Sequence, residues 1–273
     1  PAPRGRRLFV RAHSGARREG EDTPMKTTGN TILITGGTSG IGLGLALRFH
    51  QAGNKVIVAG RRKELLDRIA TDHPGIETIV LDVTDPTSIT QARETLAASH
   101  PELNVLVNNA GIQLPENLLD PDSLRVAEET VATNLLGPIR MTYAFLPLLT
   151  AREDATVINV SSGLAFVPLP ITPTYNATKA ALHSFTESLR VQVAGTPVQV
   201  IEVVPPPVRT TLMGQQDRAE AMPLDDFLTE VMALLRERPK AGEILVENVK
   251  FLRNATAEGN YDTALAMLSD IQL

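Results

Sequence analysis

Thr31-Ile-Leu-Ile-Thr35 is a short apolar, β-branched run, and Gly36-Gly-Thr-Ser-Gly40-Ile-Gly42 follows it at once. Consecutive apolar positions mark a strand buried on both faces. The glycines behind it allow the backbone to turn tightly and to approach another group closely. From Ile41 the spacing turns helical, with Ile41, Leu45, Leu47 and Phe49 on one side and Arg48 and Gln51 outward, which predicts a helix over 41–51. Gly53 stands where a glycine stops a helix, and 55–59 is a second buried strand. Strand, glycine turn, helix, strand is the first βαβ unit of a doubly wound sheet.

The alternation runs on. Helices are predicted over 63–70, 85–99, 121–135, 138–149, 174–194 and 224–236, and strands over 76–81, 103–107, 155–160, 198–204 and 243–246. Buried strands in strict alternation with helices imply an α/β protein with a Rossmann-type doubly wound parallel sheet of about seven strands, helices covering both faces. No internal linker or repeat is evident, so 25–273 reads as one domain. Residues 1–24 differ: six arginines against three acids give the segment +3 and leave −8 on the remainder. This Arg-rich extension has no apolar period and is expected to be disordered, with Met25 a natural start.

Several chemistries are excluded early. The chain has no cysteine, and its five histidines, among them His50 and His183, are scattered, so neither a disulfide framework nor a metal site is expected. A net charge of −5 argues against nucleic acid as a partner. The longest charge-free run, 155–178, contains prolines and many hydroxyl and amide side chains, unlike a membrane span.

In open α/β sheets ligands bind at the carboxyl ends of the strands. The spacing Gly36, Gly40, Gly42 lies at such an end and suits a pyrophosphate resting on a helix N-terminus. The second strand ends in Gly60-Arg61-Arg62, where an enzyme for NAD usually carries an acid to hold the ribose hydroxyls. Arginine there can pair with a 2′-phosphate, so NADP(H) is expected over NAD(H). Farther along, Tyr175 and Lys179 stand one helical turn apart. A nearby ammonium favours phenolate, which makes the pair a general acid/base for moving a proton on or off an oxygen.

Taken together, Thr35-Gly36-x-x-x-Gly40-x-Gly42, Asn108-Asn-Ala-Gly111, Asn134, Ser162 and Tyr175-x-x-x-Lys179 resemble the short-chain dehydrogenase/reductase family over nearly all of 30–250. The resemblance implies that Tyr175 protonates a substrate oxygen as hydride reaches carbon, and that Ser162 orients that oxygen. It further implies that Lys179 lowers the Tyr175 pKa and holds the nicotinamide ribose, while Asn134 supports a proton-supplying water chain. The cofactor would run along Gly36, Thr38, Ser39, Ile41, Arg61, Arg62, Asp82, Val83, Asn109, Ala110, Gly111, Tyr175, Lys179, Pro205, Val208 and Thr210. One departure is Pro206, which stands where the family usually has glycine. The Val208 N–H that would meet the nicotinamide amide remains available. The pattern is similar to a bacterial subgroup, the DltE-type reductases, that carries a teichoic acid D-alanylation label.

The expected substrate is a small or medium apolar ketone or aldehyde, walled by Leu164, Phe166, Val167 and Leu169, with a charged loop over 209–223 that lacks apolar anchors and closes on ligand. Arg209 is the one fixed charge expected near that wall. Small residues along the Tyr175 helix (Ala177, Ala180, Ala181, Ser184, Ser188) suggest pairing into a homodimer or homotetramer. A cytoplasmic reductase is thus expected. A non-catalytic cofactor sensor would have no reason to keep Ser162, Tyr175 and Lys179 together. A hydrolase on a similar sheet would need a Gly-x-Ser-x-Gly turn that the chain lacks.

Overall fold

The computed structural model describes residues 24–271, so nearly all of the expected Arg-rich extension lies outside the described residues. The strands are β1 (Thr31–Thr35), β2 (Lys55–Gly60), β3 (Ile76–Val80), β4 (Val105–Asn108), β5 (Ala155–Val160), β6 (Val198–Val204) and β7 (Glu243–Leu245). All pair in parallel, in the order β3-β2-β1-β4-β5-β6-β7. The order reverses between β1 and β4. There the crossover connections leave in opposite directions and a crevice opens at the strand ends.

The intervening helices are α1 (Gly40–Gln51), α2 (Lys63–Asp72), α3 (Pro86–Ser99), α4 (Leu124–Val131), α5 (Gly137–Leu149), α6 (Pro173–Gln192), α7 (Leu224–Glu237), α8 (Lys250–Arg253) and α9 (Tyr261–Ser269). Strand side chains alternate between the two faces, as the pleat requires. Ile32, Ile34, Val56, Val58, Val105 and Val107 meet α1, α2 and α7 through Phe49, Leu66 and Phe227. Leu33, Ile57, Leu106 and Val157 meet α3, α5 and α6 through Ile89, Met141, Phe145 and Leu189. Burial on both faces is why β1, β2 and β4 read as unbroken apolar runs rather than as alternating ones.

Two differences from the sequence reading bear on the site. The helices expected over 121–135 and 138–149 are joined, because α4 runs through a π-helical stretch, Ala132–Leu136, directly into α5. Pro138 has no N–H to offer the turn before it, and that turn is the π-helical stretch. The widened turn carries Asn134, in keeping with the frequency of π turns at functional sites. The short helices α8 and α9 were not foreseen. They pack with Val167 and Leu169 into a third apolar cluster, through Leu252, Ala264 and Leu268.

Candidate active site

A cleft of about 480 Å³ lies at the carboxyl ends of β1, β2, β4, β5 and β6. Every residue expected along the cofactor borders it, and so does Ser162. Asn134, fully buried, lies behind the wall instead.

One half of the cleft is made of backbone. Gly36 has φ 64° and Gly40 φ 54°, left-handed values that side chains resist. A Cβ on Gly36 would come within 2.6 Å of the Ala110 Cα, so the β1 and β4 ends can touch only through glycine. Thr35 knits the two ends: its hydroxyl donates to the Val107 carbonyl at 3.2 Å and accepts from the Asn109 and Ala110 N–H groups at 3.1 and 3.2 Å. The Asn109 amide returns the contact by donating to the Thr35 and Gly36 carbonyls, at 3.1 Å each. Ser39 occupies the N-cap position of α1 without a side-chain cap bond, which leaves the first helical N–H groups facing the cleft. Arg61 and Arg62 are exposed at its mouth; Arg62 donates to the Thr38 hydroxyl at 3.3 Å, and Arg61 makes no ion pair among the described residues. Asp82 accepts from the Thr84 N–H at 2.8 Å and from its hydroxyl at 2.7 Å.

The other half is made of buried side chains. Ser162, Tyr175 and Lys179 are 8%, 6% and 5% exposed. Ser162 caps the short turn Gly163–Ala165 by accepting from the Leu164 N–H at 3.1 Å. Lys179 donates to the Val160 carbonyl at 2.8 Å, and its Nζ stands 5.6 Å from the centre of the Tyr175 ring. Burial pushes the Tyr175 phenol up to about 12, with the Ser162 hydroxyl opposing. Burial also pushes Lys179 down to about 8, with the Glu202 carboxylate opposing. The expected lowering of the phenol by Lys179 is therefore not what governs Tyr175 in this structure. The ammonium is aimed at a carbonyl and stands over the ring, so desolvation dominates. Near pH 7 the phenol is protonated and has a proton to give.

Asn134 accepts from the Ile112 N–H at 2.8 Å and donates to the Ile112 carbonyl at 2.7 Å. It fixes the segment after β4 rather than touching the cleft. The Val208 N–H has no hydrogen-bond partner among the described residues, while Arg209 N and Met222 N bond to Met222 O and Pro207 O at 2.9 Å each. Pro206 is buried against the cleft without disturbing that pattern.

The substrate wall departs from expectation. Of Leu164, Phe166, Val167 and Leu169, only Leu164 borders the cleft. Phe166 turns away to stack edge-on against His183 at 4.8 Å, under the Arg253 guanidinium at 4.4 Å. Val167 and Leu169 are drawn into the apolar cluster of α8 and α9, which competes for them. The loop over 209–223 does have apolar anchors, the buried Ala221 and Met222. Arg209 is spent on that loop, donating to the carbonyls of Arg218, Ala219 and Ala221. Gln113, Leu114, Met213, Gln215 and Leu252 border the cleft and were not foreseen. The position of Gln113 just past Asn108-Asn-Ala-Gly111 is the one signal that could have shown it.

The short chain dehydrogenase family model matches residues 30–221. The chain belongs to this family. Among its relatives is the uncharacterized oxidoreductase DltE of Bacillus subtilis, 40% identical over 87% of this chain and 96% of that protein. The NADPH-dependent 1-acyldihydroxyacetone phosphate reductase of Schizosaccharomyces pombe is 35% identical over 67% of this chain and 62% of its own length. A solved short chain dehydrogenase from Burkholderia cenocepacia, in complex with NADP, superposes with a TM-score of 0.76 at 25% identity, covering 89% of this chain and 99% of that one. This member of the short chain dehydrogenases is an oxidoreductase with a Rossmann-type fold. Among the described residues no helix is long and apolar enough to cross a membrane.

Proposed function

We propose that this chain is an NADP(H)-dependent reductase that converts a neutral ketone or aldehyde to the alcohol. The observation that carries this reading is the joint burial of Ser162, Tyr175 and Lys179 at the inner end of a cleft whose outer half is built from glycine backbone. The uncapped N-terminus of α1 and the glycine turn suit a pyrophosphate, and Arg61 and Arg62 suit a 2′-phosphate. Support for NADP over NAD also comes from relatives named for NADPH or NADP and from the NADP-complexed neighbour.

A reduced nicotinamide held there would supply the hydride that the carbonyl carbon takes up. Tyr175 gives its proton to the carbonyl oxygen, which becomes the alcohol hydroxyl, and Ser162 donates a hydrogen bond that polarises the carbonyl. Lys179 compensates the phenolate left behind. Asn134 keeps the Ile112 backbone in place beside the route by which water would return the proton. Dimer or tetramer assembly through the exposed small residues of α6, and a cytoplasmic setting, complete the proposal.

Beyond Ser162 the cleft is bordered by Gln113, Leu114, Leu164, Met213, Gln215 and Leu252, none of them charged. An acid such as that in the name of the 3-hydroxy acid dehydrogenase of Shigella flexneri, 35% identical over 64% of this chain and 71% of that protein, would meet no cation on this wall. The Gln113 amide nitrogen, buried without a partner among the described residues, offers a neutral donor instead.

The test is NADPH oxidation over matched neutral and acidic ketones and aldehydes, with the Tyr175→Phe variant alongside. Neutral substrates should turn over faster, and Tyr175→Phe should lose about 10²–10⁴-fold in rate while still binding NADPH. Turnover by Tyr175→Phe at the parent rate would sink the mechanism.

A further inference from the structure

A second group of ionisable side chains lies under α6, one helical turn beyond Lys179. His183 Nδ1 is 2.7 Å from a carboxylate oxygen of Glu202, a fully buried residue on β6. The other Glu202 oxygen is buried with no hydrogen-bond partner among the described residues. Glu202 is flanked in register by Asn159 of β5 and Glu243 of β7. Glu243 lies 4.0 Å from His183 Nδ1 and takes the Arg253 guanidinium through both oxygens, at 2.9 Å each. Glu187, on the outer side of α6, lies 3.9 Å from His183 Nε2, while Arg190 is turned to the Val200 and Gly242 carbonyls.

One ligand-type atom each from His183, Glu202 and Glu243 falls within 4.8 Å of the others, the spacing of a metal site. The charges point elsewhere. Arg253 already occupies Glu243, and the other carboxylate, Glu202, stands next to Val203, the register partner of the Val160 whose carbonyl takes the Lys179 ammonium, so Glu202 and Lys179 share one stretch of sheet under α6. Two carboxylates balance two cations, so a divalent ion would add uncompensated charge to a buried region.

The fixed partner of the Lys179 ammonium is a single carbonyl, that of Val160. A buried ammonium needs a counter-charge to stay ionised, and Glu202 is the charge that opposes its desolvation. We propose that Glu202 is a positioning residue for the reaction, its buried carboxylate keeping Lys179 charged and seated, with His183 bracing that carboxylate from the next turn of α6. This rests on the reading of Lys179 as the partner of Tyr175. It ties the reacting end of the cleft to β7 and to α8, whose Leu252 borders the cleft and whose Arg253 covers Phe166.

The test compares the parent with Glu202→Gln, Glu202→Asp and the paired His183→Gln/Glu202→Gln variant. Two profiles against pH are read: kcat/KM, and the NADPH dissociation constant from cofactor fluorescence. In Glu202→Gln the alkaline limb of both should move to lower pH by about half a unit or more. Glu202→Asp, which keeps the charge, should restore most of it. If Glu202→Gln does not fold, the paired variant removes the histidine donor with its acceptor, and the same limb is read there. A folded variant whose limbs coincide with those of the parent would overturn the proposal, as would a lowered melting temperature with no movement of the limb. Failure of the underlying reading shows separately, as activity surviving in Tyr175→Phe.

Discussion

The two halves of the cleft are built by opposite means. At the proposed cofactor end, around β1, α1 and β2, the shape is main chain: glycines at positive φ, an uncapped helix terminus, and the exposed Arg61 and Arg62. At the reacting end, around β5, α6 and β6, the shape is buried polar side chains, each needing a partner. Asn108 donates to Asn159 at 2.9 Å, Asn159 to Thr186 at 2.8 Å, Lys179 to Val160, and His183 meets Glu202. A main-chain cradle has no room for extra atoms but leaves its charges free for a ligand. A buried polar row tolerates some change of shape but cannot lose a partner, because the orphaned group stays out of water.

The largest effect expected from this contrast is at Gly42. A Cβ there would crowd the Asn109 amide and lie 2.5 Å from the Gly36 carbonyl oxygen, where backbone cannot give way. Gly42→Ala should lose about 1–3 kcal/mol of stability by urea unfolding, in the range of overpacked cores, and weaken NADPH binding with it. An unchanged midpoint would mean that the glycine turn is softer than a main-chain cradle requires.

A middle-sized effect is expected at Arg61, where charge rather than space is at stake. Arg61→Ala should weaken NADPH about tenfold and leave NADH and the melting temperature unchanged, since an exposed arginine contributes through the ligand. Equal loss for both cofactors, read by titration calorimetry, would contradict the 2′-phosphate assignment.

A third effect is a curvature of stability with pH that belongs to the reacting end alone. Between pH 8 and the ordinary lysine value of 10.5, the unfolded chain binds more protons at Lys179 than the folded chain does, so stability rises with pH across that window. Above pH 10 the sign reverses for Tyr175. Its phenol keeps its proton up to about 12 in the folded chain and loses it near 10 in the unfolded one, so its contribution is lost as pH climbs from 10 to 12. Urea midpoints measured from pH 7.5 to 10 should therefore climb in the parent more than in Lys179→Met. Parallel curves for the two would show that the lysine is not desolvated as the structure has it.

The same contrast explains how far the sequence could be read. The βαβ unit, the seven strands and the parallel sheet were all legible, because burial on both faces leaves unbroken apolar runs in the central strands and glycine marks the turn at β1. The cleft positions on that turn were legible for the same reason: neighbours in the chain are neighbours in the cradle. Phe166, Val167 and Leu169 were misjudged because their partners, His183, Arg253 and the α8–α9 cluster, come from distant parts of the chain. The 209–223 loop was misjudged in the same way, since Met222 is an anchor only because Pro207 and Arg209 pair with it.

By itself the sequence determined the sheet, the glycine turn and the i, i+4 placement of Tyr175 and Lys179, all of which depend on local period and local backbone freedom. Only the tertiary structure decided the electrostatics of that pair. Desolvation is a property of the whole packed neighbourhood, and it raises the phenol and lowers the ammonium, while the sheet sets Glu202 of β6 beneath α6 as the opposing charge.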